Sequence, residues 1–221
     1  MTTLTTPSVS TLLERLFVEA KASDAALMEM MAKLSPEERA ARIGSADHKA
    51  MYAQAKDFYM AVSRETAALC YMLARSCGAR AIVEFGTSLG LSTIHLAAAL
   101  KDNGGGIVIG TEFEPSKVTR ARAHLAAAGL ADLVDIREGD ALETLAQNLP
   151  DSIDLVLLDG AKTLYNPILS LLEKRLRPGA LVIADNADLV PDYVARVRAP
   201  GSGYLSVPCA DDVELSMKMS S

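Results

Sequence analysis

Residues 81–95 read Ala81-Ile82-Val83-Glu84-Phe85-Gly86-Thr87-Ser88-Leu89-Gly90-Leu91-Ser92-Thr93-Ile94-His95. An apolar run ends near an acidic residue, and a turn carrying two glycines follows. Ser92 then opens a helical spacing that continues through Leu96 and Leu100. The pattern predicts a strand over 80–85, a tight loop and a helix. Gly86 allows the sharp turn, and Gly90 is expected to let a ligand approach the main chain. Free N–H groups at the helix start favour polar or anionic ligand groups. Glu84 offers a carboxylate to a cationic one.

Working outward, strands and helices alternate. Further strands are expected at Ile107–Glu112, Leu133–Arg137, Ile153–Asp159 and Ala180–Ala184. Helices are expected from Pro115 to Ala128, Ala141 to Asn148, Tyr165 to Leu176 and Pro191 to Arg198. Upstream of the quoted stretch, Ser63 caps a helix that runs to Ser76 and is stopped by Gly78. Alternation of this kind predicts an α/β fold with a mostly parallel sheet covered on both faces. Two closing strands, 204–207 and 213–219, lack a crossover helix between them. They are expected as an antiparallel hairpin, the last strand antiparallel in a seven-stranded Rossmann-like sheet.

The first 55 residues are expected to form an N-terminal helical extension, with residues 56–221 as the main domain. Apolar positions recur at helical spacing from Ser10 to Leu34, and Ser35-Pro36 starts a second helix. A mixed stretch over 46–61 is expected to be helical. Asp47 and His48 sit in it before Met51, Tyr52 and Tyr59, which suit core packing or a substrate lid. The stripes Leu12/Leu16/Phe17 and Leu27/Met30/Met31 predict a cover, a homodimer contact, or both.

A chain of 221 residues, half of them hydrophobic and 23% charged, fits one soluble domain. Its net charge of −6 offers no electrostatic footprint for nucleic acid or an anionic membrane. Cys70, Cys77 and Cys209 show no metal-ligand or disulfide-framework spacing and read as reduced thiols. No apolar leader run opens the sequence and no stretch is long enough to span a bilayer, so the cytoplasm is the expected location.

The chemistry lies at the strand ends: Glu84, Glu112, Asp140, Asp159, and Asp185 with Asn186. In open α/β sheets this is the edge where ligands bind. A carboxylate ending the second strand suits the two hydroxyls of a ribose, as in enzymes using nicotinamide dinucleotides or S-adenosylmethionine. The first loop discriminates between them. Gly86-x-x-x-Gly90 lacks the close glycines that pyrophosphate requires, and suits a cofactor with no phosphate and a cationic amino-acid tail. Asp159, Asp185 and Asn186 are hard oxygen donors suited to magnesium, manganese or calcium. Lys162 follows Asp159 by three residues. Beside a dication, a neutral lysine could accept a proton.

At these residues the sequence resembles the class I S-adenosylmethionine-dependent methyltransferases, most of all the cation-dependent O-methyltransferases of the catechol and caffeoyl-coenzyme A type. The resemblance runs through Glu84-Phe85-Gly86-Thr87-Ser88-Leu89-Gly90-Leu91-Ser92, Glu112-Phe113-Glu114-Pro115, Ala128-Gly129-Leu130, Asp159-Gly160-Ala161-Lys162 with Tyr165, Leu176-Arg177-Pro178-Gly179 and Ala184-Asp185-Asn186. It covers roughly residues 60–221. It implies that Glu84, Gly86, Ser88 and Ser92 surround the methionine part of the cofactor, beneath Met60-Ala61-Val62-Ser63. Glu112 would hold the ribose, and Asp140 and Ala141 would border the adenine. Val62, Thr87, Gly90, Phe113, Gly139 and Asp159 complete the implied cofactor neighbourhood. Asp159, Asp185 and Asn186 would bind the cation, Lys162 would be the general base, and the acceptor would be a small aromatic. Glu214 falls near a family carboxylate that touches the acceptor, its register shifted by one residue. The sequence departs from the family at Ala161, where many bacterial members have a second aspartate, and at Leu91, often aromatic. Two alternatives stay open. One is transfer without metal to a nitrogen, a carboxylate or a non-catechol hydroxyl. The other is a binding module without catalysis.

Overall fold

The computed structural model describes residues 2–44, 53–210 and 212–220. Seven strands form one sheet: β1 (Ala81–Phe85), β2 (Ile107–Glu112), β3 (Val134–Glu138), β4 (Ile153–Leu158), β5 (Leu176–Ala184), β6 (Tyr204–Cys209) and β7 (Val213–Lys218). Their order is β3-β2-β1-β4-β5-β7-β6. Strands β1 to β5 pair in parallel, and β7 lies antiparallel between β5 and β6. The chain leaves β1 on one side for β2 and β3 and returns on the other for β4 and β5. The switch point between β1 and β4 therefore opens at the carboxyl edge.

Both faces of the sheet are apolar because its strands alternate two buried sets rather than one buried and one wet. Ile82, Val108, Leu155, Leu157 and Ile183 face one core, while Val83, Ile109, Val156, Leu158 and Val182 face the other. The first core is covered by α1 (Pro7–Ala32), α3 (Arg64–Ser76), α4 (Leu91–Asp102) and α5 (Pro115–Ala127). The second is covered by α7 (Tyr165–Leu172) and α8 (Pro191–Arg198), with the short α6 (Ala141–Thr144) at its rim. Every residue of α4 from Leu91 to Leu100 is buried, so that helix runs through the core with no wet side.

Helix α1 packs on the same core, burying Val9, Leu12, Leu13, Leu16 and Ala20. The first of the two stripes is thus covered within the chain, while Met30 of the second is half exposed. Leu12 and Leu16 are enclosed, and Phe17 packs edge-on to the ring of His95. The start of the chain is tied down as well: Thr3 donates its N–H and its hydroxyl to the carboxylate of Asp102 at the end of α4. A second short helix, α2, spans Pro36–Ile43.

Several boundaries differ from expectation. The helix expected over 141–148 stops at Thr144, because Arg137 takes the carbonyls of Thr144, Gln147 and Asn148 and Asn148 turns to φ +52. The helix after Tyr165 ends at Leu172 and tightens into a 3-10 turn. Strand β5 begins earlier than expected, at Leu176, and carries Pro178-Gly179 through a register shift against β4. Of the expected helix over 46–61, Asp47, His48, Met51 and Tyr52 lie outside the described residues. Residues 55–61 are turns and extended chain.

That extended piece is a strap held by α1 side chains instead of by its own carbonyls. Ser23 accepts from the N–H of Tyr59, Glu19 accepts from the Tyr59 hydroxyl, and the Asp24 carboxylate accepts from the N–H groups of Met60 and Ala61 at 2.9 and 3.2 Å. Met60 sits at φ +47, a conformation that costs energy in a non-glycine residue and persists only where its surroundings hold it. Replacing Asp24 by alanine strands two backbone donors and should destabilise the protein by about 1–3 kcal/mol in denaturant unfolding. Asp24→Asn, which keeps an acceptor oxygen, should lose less. Equal stability of the alanine variant and the parent would show that the strap does not depend on this carboxylate.

Candidate active site

The carboxyl edge of the sheet opens into a cavity of about 300 Å³. Its walls bring together most of the residues singled out in the sequence. Gly86 and Ser88 come from the β1 loop, and Glu112 and Phe113 from the end of β2. Gly139, Asp140 and Ala141 follow β3, while Asp159, Lys162, Asp185 and Asn186 follow β4 and β5. Val62, Thr87 and Ser92 line an adjoining crevice under the strap. Glu84 and Gly90 line neither.

Both lie behind the cavity wall, each for a clear reason. Glu84 is wholly enclosed, and one of its oxygens accepts from the hydroxyls of Thr87 and Thr93. Its other oxygen is buried with no partner, and burial pushes the carboxyl above its ordinary range. Glu84 therefore organises the loop from beneath instead of facing a ligand. Gly90, at φ +87, caps α4, and a side chain there would press on Ala121 of α5 at 3.4 Å. Its open side is filled by a helix, not by a ligand. Gly86 serves the site directly: a Cβ at this position would lie 2.6 Å from the carbonyl oxygen of Asp159. The β1 and β4 loops can touch only because that atom is missing.

Glu112 is held still. One oxygen accepts from the N–H of Ser88 at 2.8 Å and the other from the N–H of Glu114 at 2.9 Å. A carboxylate oxygen accepts more than one hydrogen bond, so the fixed group can still receive hydroxyls from the cavity. Ser88, at φ +46, donates its hydroxyl to the carbonyl of Tyr59 and so fastens the strap to the loop. Asp140 caps α6 by accepting from the N–H of Leu142.

Asp159 and Asp185 extend the ladder by one residue. The Asp159 N–H donates to the Phe85 carbonyl, and the Asp185 N–H donates to the Leu158 carbonyl. Their side chains lie close enough to interact. Burial pushes both above the usual carboxylate range. Lys162 pulls against this at Asp159, while the neighbouring Asp159 adds to the rise at Asp185. Lys162 has its Nζ 2.7 Å from the Tyr165 hydroxyl and 3.4 Å from Asp159 Oδ1. The Tyr165 hydroxyl donates to the Asp185 carbonyl at 2.8 Å, closing the cluster. Gly160 lets the ring of Phe85 pack beneath, since a Cβ there would come within 2.6 Å of it.

Three groups were not found in the sequence. Asp24 and Met28 of α1, beside Leu27 of the stripe expected as a cover, form one wall of the cavity. Lys117 lines it too, almost fully buried and donating to the Ser88 hydroxyl at 3.1 Å. Burial lowers its pKa, and Glu112 opposes that shift. The available signal was a lysine in the first turn of α5, where the helix dipole disfavours a cation. Asp212, in the β6–β7 turn, accepts from Nδ2 of Asn186 at 3.0 Å. The residue expected in that neighbourhood, Glu214, is turned away. It pairs with Ala184 across the ladder and is held by both arms of Arg198 and by Ser206.

The fold and the site have known counterparts. Residues 83–187 match the family profile described as a methyltransferase domain. A catechol O-methyltransferase from Niastella koreensis is 34% identical over 130 residues, which are 58% of this chain and 58% of that protein. Catechol O-methyltransferase B of Danio rerio is 31% identical over 164 residues, 71% of this chain and 60% of that protein. The chain thus spans less than two thirds of the length of these curated relatives. Among solved structures, the O-methyltransferase TomG of Streptomyces achromogenes, involved in tomaymycin synthesis and in complex with S-adenosylmethionine, superimposes with a TM-score of 0.61. It is 27% identical, and the match covers 91% of this chain and 99% of that one. In sequence across the parallel core, and in fold throughout, the chain is similar to the class I S-adenosylmethionine-dependent O-methyltransferases.

Among the described residues no cluster of three or more His, Cys, Asp or Glu side chains is arranged to hold a metal. The donor set here is two carboxylates and an amide. Two buried carboxyls in contact carry either a shared proton or a cation between them. Burial and the neighbouring Asp159 raise the Asp185 carboxyl, so the native pair keeps a proton between about pH 5 and 8 that the unfolded chain has given up. The native state then binds more protons than the unfolded chain, so stability falls as pH rises through this window. Asp185→Asn removes the dependence. Without added metal, its melting temperature should gain on the parent's steadily from pH 5 to pH 8; parallel curves would exclude a shared proton.

Proposed function

We propose that the chain is an S-adenosylmethionine-dependent O-methyltransferase that transfers a methyl group to a hydroxyl of a small, catechol-like aromatic with the help of a divalent cation. The observation that carries the reading is the buried Asp159–Asp185 pair beside Lys162, in the same cavity as the fixed carboxylate of Glu112. Two adjacent carboxylates and the Asn186 amide suit magnesium or manganese, with calcium as a further candidate. A carboxylate pinned by two N–H groups suits the hydroxyls of a ribose.

On this reading Glu112 binds the ribose, with Ser88 and Lys117 keeping it in place. Asp140, Ala141 and Phe113 flank the adenine. The strap over Met60–Val62 and the α1 wall of Leu27 and Met28 exclude water, which supports reading residues 1–55 as a cover over the cavity. The cofactor would supply the sulfonium methyl, and a cation held by Asp159, Asp185 and Asn186 would favour the ionised form of the acceptor hydroxyl. Lys162 takes the hydroxyl proton at Nζ, which Tyr165 and the carbonyl of Asp185 keep beside the carboxylate pair. The rigid loops align the acceptor oxygen with the methyl carbon, which accounts for much of the acceleration.

Methyl transfer from S-adenosylmethionine to a panel of catechols tests the proposal. Chelator should abolish turnover, and magnesium or manganese should restore it. Asp185→Ala should lose activity by orders of magnitude while still binding the cofactor. Glu112→Ala should weaken S-adenosylmethionine and S-adenosylhomocysteine alike, by at least tenfold if each lost charge-assisted hydrogen bond is worth about 1.5–3 kcal/mol. Full turnover in excess chelator would move the case to metal-independent transfer. No turnover on any acceptor, with tight cofactor binding, would favour the non-catalytic module.

A further inference from the structure

We propose that Asp212 is a positioning residue that aims the amide oxygen of Asn186 at the cation; the proposal rests on reading Asp159, Asp185 and Asn186 as the metal ligands. An asparagine side chain has one end that can bind a hard dication and one that cannot. Its carbonyl oxygen is a ligand, whereas its NH2 group is a donor only. Whichever group holds the NH2 end therefore decides whether the residue serves. Here the NH2 end is held by the carboxylate of Asp212, with Nδ2 3.0 Å from Oδ2. An ionised carboxylate accepts and cannot donate, so rotating the amide would set oxygen against oxygen. The orientation with the amide oxygen away from Asp212 is the one this pair permits.

The backbone reinforces the arrangement. The N–H of Ala187 donates to the carbonyl of Asp212 at 2.6 Å, locking the β6–β7 turn against the end of β5. The ladder explains why these residues meet. Ala184 pairs with Glu214 in the antiparallel register of β5 and β7, and continuing that register brings Asn186 opposite Asp212. Asn186 itself is left-handed, at φ +50 and ψ +45, so it leaves the strand direction and needs an external hold. The antiparallel β7 thus delivers to the site a group that no parallel crossover strand brings. Glu214, two residues further on, cannot substitute for it, since Arg198 and Ser206 occupy its carboxylate.

The test is manganese binding to the full, metal-stripped chain, followed by electron paramagnetic resonance of the free ion, with no cofactor or acceptor present. Asp212→Ala should weaken binding about 10–100-fold, the usual effect of losing a group that orients a ligand. Asp212→Asn, whose amide can turn either end toward Asn186, should recover only part of the affinity. In an Asn186→Ala background, Asp212→Ala should cost nothing further, because a group acting only through Asn186 has nothing left to orient. Asp212→Ser replaces the alanine variant if that variant does not fold. Parent-like affinity in Asp212→Ala, while Asp185→Ala loses binding, overturns the role of Asp212 and leaves the metal site standing. A further loss from Asp212→Ala in the Asn186→Ala background also overturns it, since charge and not orientation would then be acting. Indistinguishable binding by the parent and Asp185→Ala overturns the metal reading itself, and this proposal with it.

Discussion

Two hydrogen bonds carry the parallel ladder one residue past its strands, from Asp159 N–H to the Phe85 carbonyl and from Asp185 N–H to the Leu158 carbonyl. They set two carboxylates side by side within the carboxyl edge. Buried like charges in contact are costly unless a proton or a cation lies between them. Much else at the edge accommodates that pair. Gly86 must lack a side chain for the β1 loop to reach the Asp159 backbone, and Gly160 must lack one for Phe85 to lie beneath. Lys162 and Tyr165 close the cluster from α7 and the turn before it.

The other end of the cavity is built on a different principle. A run of short polar contacts passes from the N-terminal helix to the loop after β1. Asp24 fastens the strap, the Tyr59 carbonyl takes the Ser88 hydroxyl, Lys117 supports Ser88, and Ser88 N–H fixes Glu112. Because α1 is anchored in the main core by Leu12, Leu13 and Leu16, a helix outside the sheet can hold a loop at its edge. The extension is in this sense part of the cavity, and its Leu12/Leu16 stripe is covered within the chain.

Much of this was legible in the sequence. Alternating apolar runs and helical spacings, punctuated by glycines and caps, place the strands of the parallel sheet and the helices that cover it. Five strand ends rich in Asp, Glu and Asn mark the edge where the cavity opens. Boundaries were less legible where a tertiary contact overrides local preference. The carbonyls after Thr144 are taken by Arg137 before α6 can extend. Tyr59, Met60 and Ala61 give their N–H groups to α1 side chains and so do not coil.

The sequence by itself determined which residues are chemically able to serve and on which edge of the sheet they stand, because side-chain chemistry and chain alternation are local properties. The tertiary structure alone decided which of them reach the cavity. Glu84 and Gly90 match the motif yet are covered, one beneath its own loop and one by Ala121. Asp24, Lys117 and Asp212 match no motif, and packing brings them in from α1, α5 and the β6–β7 turn. The reason is physical. A motif records spacing along one segment, whereas access and pairing depend on what other segments, distant in sequence, place against it.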